Sequence, residues 1–243
     1  MKVYYLLLTL MLFGCSSLAT QQPTMDSPEK KPTLEMSRDV HWMRNSAEYK
    51  AIAIQTYRSA GLRLRELVAD KNPGTWAVAA DFDETVIDPT DFNKEWDLGG
   101  RKSLDWDTWA SGRMDPPVPG AVEFLKLVHS LGGHIAIVTN RHEFNCPDTE
   151  ANLRAFDVPF DVVLCRGEDD QKEPRWEMVE KGVTSAGLPP LEIVMWLGDN
   201  IQDFPGLDQS LRLESEETFS KFGDRYFAFP NATYGSWEVN PHD

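Results

Sequence analysis

The sequence predicts an α/β fold built on a parallel, Rossmann-like β-sheet with helices on both faces. Four short apolar runs are separated by stretches with helical periodicity. Each run is apolar throughout rather than alternating, which is typical of parallel strands covered on both faces. The alternation of strand and helix along the chain is typical of a doubly wound sheet. The four runs are Trp76–Ala80, Ile135–Val138, Val162–Leu164 and Ile193–Leu197.

The first residues carry the pattern of a bacterial lipoprotein leader. Lys2 precedes an apolar stretch, 3–13, that is shorter than a membrane-spanning helix. The stretch ends in a sequence that resembles a lipobox, which predicts a signal peptide over 1–14 and lipid on Cys15. An ordinary signal peptide with a chance cysteine is the alternative. Ser16 follows the cysteine rather than Asp, so we expect a lipid-anchored protein of the bacterial envelope, on the outer membrane and facing the periplasm or the surface.

The leader is followed by a predicted tether and one domain. Residues 15–38 are rich in Ser, Thr, Gln, Pro and Lys without an apolar period, which predicts a flexible tether. Residues 39–243 have the length of one α/β domain. A helix is predicted from Asn45, which with Glu48 resembles a capping box. A second helix is predicted over Pro119–Leu131, with proline at its start.

The connection between the first apolar run and the second predicted helix is unusually long. It covers about 87–118 and combines aromatic residues with many polar ones. A connection of this length is more often a functional lid or insertion than a simple loop. We therefore predict a small helical cap insertion here. Its aromatic residues are Phe92, Trp96, Trp106 and Trp109.

The charge of the chain restricts its partners. The 243 residues include 39 acidic and 24 basic side chains, which gives a formal net charge of −15. Such a chain repels polyanions, so we expect no nucleic-acid partner. A small phosphorylated molecule remains compatible with this charge, provided that a local site or a metal ion holds its phosphate.

Polar residues follow three of the four apolar runs directly. In open α/β sheets, the carboxyl ends of the strands line the ligand crevice, so these residues are predicted to meet in one site. Acidic pairs at a single strand end are common, but three clusters together indicate chemistry. The clusters are Asp81 with Asp83, Thr139 with Asn140 and Arg141, and Asp199 with Asp203.

These segments resemble the haloacid-dehalogenase (HAD) type phosphatases, and among them the bacterial lipoprotein class C acid phosphatases, also called 5′-nucleotidases. The resemblance extends over nearly the whole domain. The Asp-x-Asp-Glu-Thr segment together with Gly-Asp-Asn-x-x-Asp-Phe is a specific pattern, whereas Thr-Asn-Arg alone is a weak one. The segments that carry it include Asp81–Val86, Val138–Arg141, Lys172–Arg175, Gly198–Phe204 and Tyr234–Glu238.

The resemblance implies a Mg²⁺-dependent phosphomonoesterase. Asp81 would attack phosphorus to form an aspartyl-phosphate, and Asp83 would act as general acid and then general base. Mg²⁺ would be held by Asp81, the backbone carbonyl of Asp83, and Asp199, which is the all-oxygen environment that this ion prefers. Asp203 would support these ligands from behind.

The resemblance also assigns the groups that bind the phosphate. Lys172 would neutralise Asp81 and the charge that develops on the phosphoryl group. Thr139 and Asn140 would donate hydrogen bonds to the phosphoryl oxygens. From the sequence alone Lys172 has an equally good alternative, because the charged run 168–173 is also typical of a solvated loop.

Three aromatic residues are predicted to contact the substrate. Trp106 and Trp109 lie in the polar insertion, and Tyr234 lies in a Gly- and Ser-containing tail rather than in an apolar strand. Aromatic rings at a cleft stack on nucleoside bases, and the resemblance implies such stacking on nucleoside monophosphates. A purely structural role in the core is the alternative for any single tryptophan.

Two other functions remain open from the sequence. One is a HAD phosphotransferase, or a phosphatase for non-nucleotide esters. The other is a non-catalytic surface lipoprotein that binds a ligand through its aromatic residues. The pair Asp81 and Asp83 favours an enzyme, because a binding module has no need of a nucleophile beside a general acid.

Two structural questions are also left open by the sequence. Removal of the leader leaves two cysteines, Cys146 and Cys165, which either pair in an oxidising compartment or stay as buried thiols. The sequence also leaves the oligomeric state open, and a homodimer is one of the alternatives.

Overall fold

The central sheet consists of parallel strands, which from one edge to the other are Val162–Arg166, His134–His142, Trp76–Ala80, Glu192–Gly198 and Tyr226–Ala228. The computed structural model describes residues 35–99, 105–112 and 114–242, so the predicted signal peptide (1–14) and most of the predicted tether (15–38) lie outside the described residues. Four strands coincide with the four apolar runs, which confirms the predicted Rossmann-like α/β fold. The strands are β1 Trp76–Ala80, β2 His134–His142, β3 Val162–Arg166, β4 Glu192–Gly198 and β5 Tyr226–Ala228.

Helices cover both faces of the sheet. Successive side chains of a strand point to opposite faces. Val78 and Ala80 of β1 therefore pack with the helices Ala47–Leu67 and Ala121–Ser130, whereas Ala77 and Ala79 pack with the helix Glu173–Lys181. This two-sided burial is the reason that the strands are apolar throughout. The helices are α1 Arg38–Asn45, α2 Ala47–Leu67, α3 Thr90–Leu98, α4 Trp106–Ala110, α5 Ala121–Ser130, α6 Cys146–Ala155 and α7 Glu173–Lys181.

The start of the first long helix differs from the prediction by one residue and in its cap. Asn45 is the last residue of α1, and the N-cap of α2 is Ser46, whose hydroxyl accepts a hydrogen bond from the Tyr49 amide at 3.0 Å. The capping box of Asn45 and Glu48 is therefore wrong. The serine hydroxyl fulfils the same physical requirement, because it satisfies one of the amides that a helix start leaves without a partner.

The insertion over 87–118 contains α3 and α4, and its two ends are hydrogen-bonded to each other. The Asp88 amide donates to the Pro116 carbonyl at 2.8 Å, and the Val118 amide donates to the Val86 carbonyl at 2.9 Å. This closed base fixes where the insertion leaves and rejoins the domain. Above the base lies a cluster of four aromatic rings with centroids 4.8 to 5.8 Å apart, from Phe92, Trp96, Trp106 and Trp109.

The two cysteines left open by the sequence form a disulfide bond between Cys146 and Cys165. The bond joins the start of α6 to β3, so it fixes the segment that follows β2 against the neighbouring strand. Among the described residues, no helix has the length and apolar character needed to cross a bilayer.

Candidate active site

A cleft lies at the carboxyl edge of the sheet, where β1 and β4 are neighbours although β2 and β3 separate them in sequence. This reversal of strand order is where α/β sheets open a crevice. The cleft has a volume of about 590 Å³, within the usual range of small-molecule sites. The predicted site residues that line it are Asp81, Asp83, Trp106, Thr139, Asn140, Lys172, Asp199, Asp203 and Tyr234.

Three carboxylates meet at the bottom of the cleft. Asp81, Asp199 and Asp203 each offer an oxygen, and these oxygens all lie within 4.8 Å of one another. Burial, opposed by Lys172 and reinforced by the other carboxylates, raises the pKa of Asp81 to about 7. Burial and then the charges of Asp203 and Asp81 raise the pKa of Asp199 well above its ordinary value. Crowded, all-oxygen anionic groups of this kind fit a hard divalent cation.

Hydrogen bonds fix the orientation of two of these carboxylates. The Asn231 side chain donates to Asp199 at 2.8 Å, and the Asn200 amide donates to Asp203 at 2.8 Å. Each aspartate thereby keeps one oxygen for the cluster. No role was assigned to Asn231 from the sequence, because nothing in the sequence around it indicates that its side chain reaches Asp199.

One cation is buried against the cluster. The Lys172 ammonium contacts Asp81 and lies 2.6 Å from Asp203, and only 5% of its side chain is exposed. Burial alone would lower the pKa of Lys172, but the two carboxylates raise it above its ordinary value, so the group is charged. Lys172 therefore lies in the site and not in a solvated loop. Among the described residues, this lysine is the cation in contact with the cluster, and its single charge leaves the three carboxylates only partly neutralised.

The Asp83 side chain points to a different partner. Its two oxygens accept hydrogen bonds from the Arg141 guanidinium at 2.8 to 3.2 Å, in a two-pronged arrangement. Burial alone would lower the pKa of Arg141, but Asp83 raises it, so the guanidinium is charged. The guanidinium lies over the Phe82 ring at 4.6 Å. The motif containing Arg141 was visible in the sequence, but nothing there indicated this contact.

An irregularity in the pairing of β2 affects the directions of the Thr139 and Asn140 side chains. The pairing of β2 with β3 shifts between Val138 and His142, and such a shift re-aims the side chains next to it. Asn140 lies in this segment and accepts a hydrogen bond from Arg175 at 2.6 Å through its Oδ1. Because arginine only donates, the Asn140 oxygen faces Arg175 and its NH₂ group is free to face the cleft. Thr139 is buried beside it, and its hydroxyl accepts from the Arg141 amide at 3.1 Å.

Arg175 is a second residue whose function the sequence did not reveal. Its guanidinium donates to the carbonyls of Thr139, Asp170 and Gln171 as well as to the side chain of Asn140. It therefore ties the end of β2 to the loop that carries Lys172. Four bonds from one planar group hold these two segments in a fixed position relative to each other.

The predicted aromatic residues occupy different positions. Trp106 lines the cleft, whereas Trp109 lies behind it, packs on Trp106 at 5.6 Å and donates its ring N–H to Glu95 at 3.3 Å. Tyr234 also lines the cleft with a partly exposed ring, and its hydroxyl donates to Glu84. Glu84 is fully buried at a positive φ of 55° next to Asp83, so Tyr234 anchors the C-terminal segment at the centre of the site.

The geometry can be compared with known proteins. The chain matches the family described as HAD superfamily, subfamily IIIB (Acid phosphatase), over residues 13–237, which is most of its length. The chain belongs to this family. The resemblance noted in the sequence is thereby confirmed, and HAD subfamily IIIB membership makes the chain a phosphoric monoester hydrolase. This assignment favours an enzyme over the non-catalytic lipoprotein that the sequence left open.

Solved structures of acid phosphatases agree with the family. The Class C acid phosphatase from Bacillus anthracis is similar with a TM-score of 0.74 and 28% identity, covering 85% of this chain and 87% of that chain. A crystal structure of the Class C acid phosphatase from Bacillus anthracis with tungstate bound gives a TM-score of 0.73 and 26% identity, covering 87% and 93%.

Proposed function

We propose that this acid phosphatase is a Mg²⁺-dependent enzyme that hydrolyses nucleoside 5′-monophosphates and other phosphomonoesters through an aspartyl-phosphate on Asp81. The observation that carries the proposal is the cluster of Asp81, Asp199 and Asp203 against buried Lys172, at the bottom of a cleft with aromatic walls. The tungstate bound to the relative from Bacillus anthracis also supports a site for a phosphate-shaped oxyanion.

The first half of the proposed reaction transfers the phosphoryl group to the enzyme. An oxygen of Asp81 attacks phosphorus, and the bond from phosphorus to the ester oxygen breaks. The leaving oxygen takes the electron pair of that bond and a proton from Asp83. Lys172 neutralises charge on the phosphoryl oxygens, while Thr139 and Asn140 donate hydrogen bonds to them.

The second half releases phosphate. A water molecule attacks phosphorus, and Asp83, now a carboxylate, accepts the proton of that water. The bond from phosphorus to Asp81 breaks, and its electron pair returns to the carboxylate. Asp83 thus serves as acid and then as base, which returns both residues to their starting state.

Mg²⁺ is the proposed cofactor. Asp81, the backbone carbonyl of Asp83, and Asp199 would hold the ion, with Asp203 in support, because all of these groups offer hard oxygen ligands. When bound, the ion offsets the repulsion between the carboxylates and a phosphate dianion. Three carboxylates beside one lysine are the feature of this chain that calls for such a charge.

The aromatic wall supports nucleotides as substrates. Trp106 and Tyr234 line the same cleft as the acidic cluster, with Phe92 and Trp96 beside them. Base stacking on such rings is worth about 1–3 kcal/mol per base and accepts any base. This tolerance fits a broad phosphomonoesterase with a preference for nucleotides. A phosphatase or phosphotransferase for non-nucleotide esters is the competing proposal.

The nucleotide preference predicts a contrast between substrates. Trp106→Ala should raise KM for nucleoside monophosphates roughly 5- to 150-fold, the equivalent of about 1–3 kcal/mol of lost stacking. KM for glycerol phosphate, which has no ring to stack, should hardly change. Steady-state kinetics on both substrates measure the contrast. Equal increases for both would favour the non-nucleotide alternative.

Trp109→Ala is the matched control for this experiment. Trp109 is buried behind Trp106, so its removal should lower the free energy of unfolding by about 3–5 kcal/mol. Every activity should then fall alike, with a lower melting temperature and without a change in the substrate ratio.

We place the protein at the bacterial envelope, held by lipid on Cys15. Cys15→Ser should release it from membranes, because the acidic chain supplies no attraction of its own for an anionic surface. Fractionation followed by a high-salt wash measures the partition. A variant that stays in the membrane pellet after the wash would contradict the anchor.

A further inference from the structure

The contact between Asp83 and Arg141 is unusual for a group that must exchange protons. Both partners are nearly buried, with 12% of the Asp83 side chain and 1% of the Arg141 side chain exposed. A planar guanidinium that binds a carboxylate with two parallel bonds fixes the plane of that carboxylate. Breaking such a pair is costly, so the orientation of Asp83 is set before a substrate arrives.

The protein also fixes Arg141 from other sides. The Phe82 ring lies 4.6 Å below the guanidinium, and the Trp106 ring of the insertion lies 5.5 Å away. The Arg141 amide is bound by the Thr139 hydroxyl at 3.1 Å. A side chain packed against two rings and a carboxylate has little rotational freedom.

We propose that Arg141 is a positioning residue that aims Asp83 at the ester oxygen of the leaving group. The proposal rests on the proposed function, in which Asp83 is the general acid. It differs from a phosphate-binding role for Arg141, because among the described residues the side-chain atoms that accept hydrogen bonds from the guanidinium are the two oxygens of Asp83.

The pairing is compatible with both protonation states of Asp83. As a carboxylate, Asp83 accepts from Arg141 through both oxygens. When Asp83 carries a proton, its carbonyl oxygen still accepts from the guanidinium, and its hydroxyl oxygen is left to face the leaving group. As the bond from phosphorus to the ester oxygen breaks, that oxygen takes the proton, and Asp83 returns to the carboxylate form that Arg141 binds with two bonds.

This role makes the effect of Arg141 depend on the leaving group. An alkyl phosphate such as glycerol phosphate expels an alkoxide, which needs a proton as it leaves. 2,4-Dinitrophenyl phosphate expels a stable phenolate, which does not. Arg141→Gln should therefore lower kcat/KM for glycerol phosphate by about 10²- to 10⁴-fold, the usual contribution of general acid catalysis, and for the dinitrophenyl ester by less than about tenfold. The ratio kcat/KM is used because it reports the steps up to release of the leaving group.

A double-mutant cycle tests whether Arg141 acts through Asp83. In an Asp83→Ala background, Arg141→Gln should have almost no further effect on glycerol phosphate, because the group that it positions is already gone. Arg141→Lys keeps the positive charge but lacks the planar group that binds both oxygens of Asp83. It should therefore recover part of the lost kcat/KM for glycerol phosphate. Arg154→Gln is the matched control. Arg154 also lies over a ring, Phe160 at 5.2 Å, and pairs with Glu150, but it lies on the surface and should not affect either ester.

Equal losses on both esters would overturn the proposal, and so would additive effects in the cycle. A uniform increase in KM would assign Arg141 to the phosphate instead. If a thermal melt shows that Arg141→Gln is not folded, the same comparison of the two esters is made with Arg141→Lys. Failure of the proposed function is distinguishable, because the wild-type enzyme would then hydrolyse neither ester, or Asp83→Ala alone would leave the activity on glycerol phosphate intact.

Discussion

Replacing Asp81 with asparagine is expected to lower kcat by more than about a thousandfold while the fold remains intact. The amide is isosteric with the carboxylate but cannot form an aspartyl-phosphate, so only binding and electrostatic effects remain. The substitution also removes one negative charge from a crowded acidic cluster, so the metal-free variant should be at least as stable as the wild type.

The nucleophile can be tested directly as well as by loss of rate. A brief reaction of the wild type with substrate, quenched in acid and digested, should give a peptide that contains residue 81 and carries one phosphoryl group. The same peptide from Asp81→Asn should carry none. Asp157→Asn is a suitable control, because asparagine tolerates the positive φ of 52° at that position and the residue lies outside the cleft. If Asp81→Asn retains a tenth of the wild-type kcat, the assignment of the nucleophile is wrong.

The sequence predicted the part of the fold in which burial alone decides the structure. β1 to β4 are visible because their central residues are covered on both faces and are therefore apolar. β5 has only three residues, Tyr226–Ala228, and lies at the sheet edge, so it offers no run long enough to recognise. The start of α2 was predicted one residue early because Asn45 and Ser46 are both good caps, and the choice depends on how α1 ends.

The candidate site was predicted as a set of residues but not as a set of contacts. Asp81, Thr139 and Asp199 could be grouped because parallel strands bring their carboxyl ends to one edge. The pairing of Asp83 with Arg141 could not be predicted in this way, because it depends on the irregularity in β2 that turns the arginine inward. A motif records which residues are near the cleft, whereas the direction of each side chain is decided by local backbone geometry.

The metal-free acidic cluster has a consequence for stability. Because the pKa of Asp81 is about 7 in the folded protein and about 3.9 in an unfolded chain, the folded state binds more protons between these values. The free energy of unfolding should therefore fall as pH rises from about 4 to 7, which is opposite to the usual behaviour of a paired aspartate. Thermal melts in EDTA across this range measure the slope.

Mg²⁺ is expected to offset this loss of stability near neutral pH and to restore activity. A cation that binds only the folded state at 100 times its Kd adds about 2.7 kcal/mol, which for a domain of this size raises Tm by roughly 5–11 °C. The increase should be larger at pH 7.5 than at pH 5, because protons compete with the metal for the carboxylates. EDTA should abolish turnover, and added Mg²⁺ should restore it.

Asp199→Asn separates the two effects of the cluster. Asp199 shares the cluster with Asp81 and Asp203, so its loss removes both a metal ligand and a source of repulsion. In EDTA at pH 7.5 the variant should melt above the wild type, because one buried charge is gone. With Mg²⁺ it should show no increase in Tm, and its kcat/KM should be lower by more than about 100-fold, beyond the usual cost of losing a supporting contact of a metal ligand.

Asp224→Asn is the matched control for this last experiment. Asp224 is also a paired carboxylate, 2.6 Å from Arg63, but it lies outside the cleft. Its substitution should leave the Mg²⁺-dependent rise in Tm and the turnover unchanged. If Asp199→Asn keeps the full metal-dependent rise in Tm, the ion does not bind this cluster. If the wild type melts at a higher temperature in EDTA at pH 7.5 than at pH 5, the carboxylates do not repel one another as their spacing implies, and the structural basis for requiring a cation is lost.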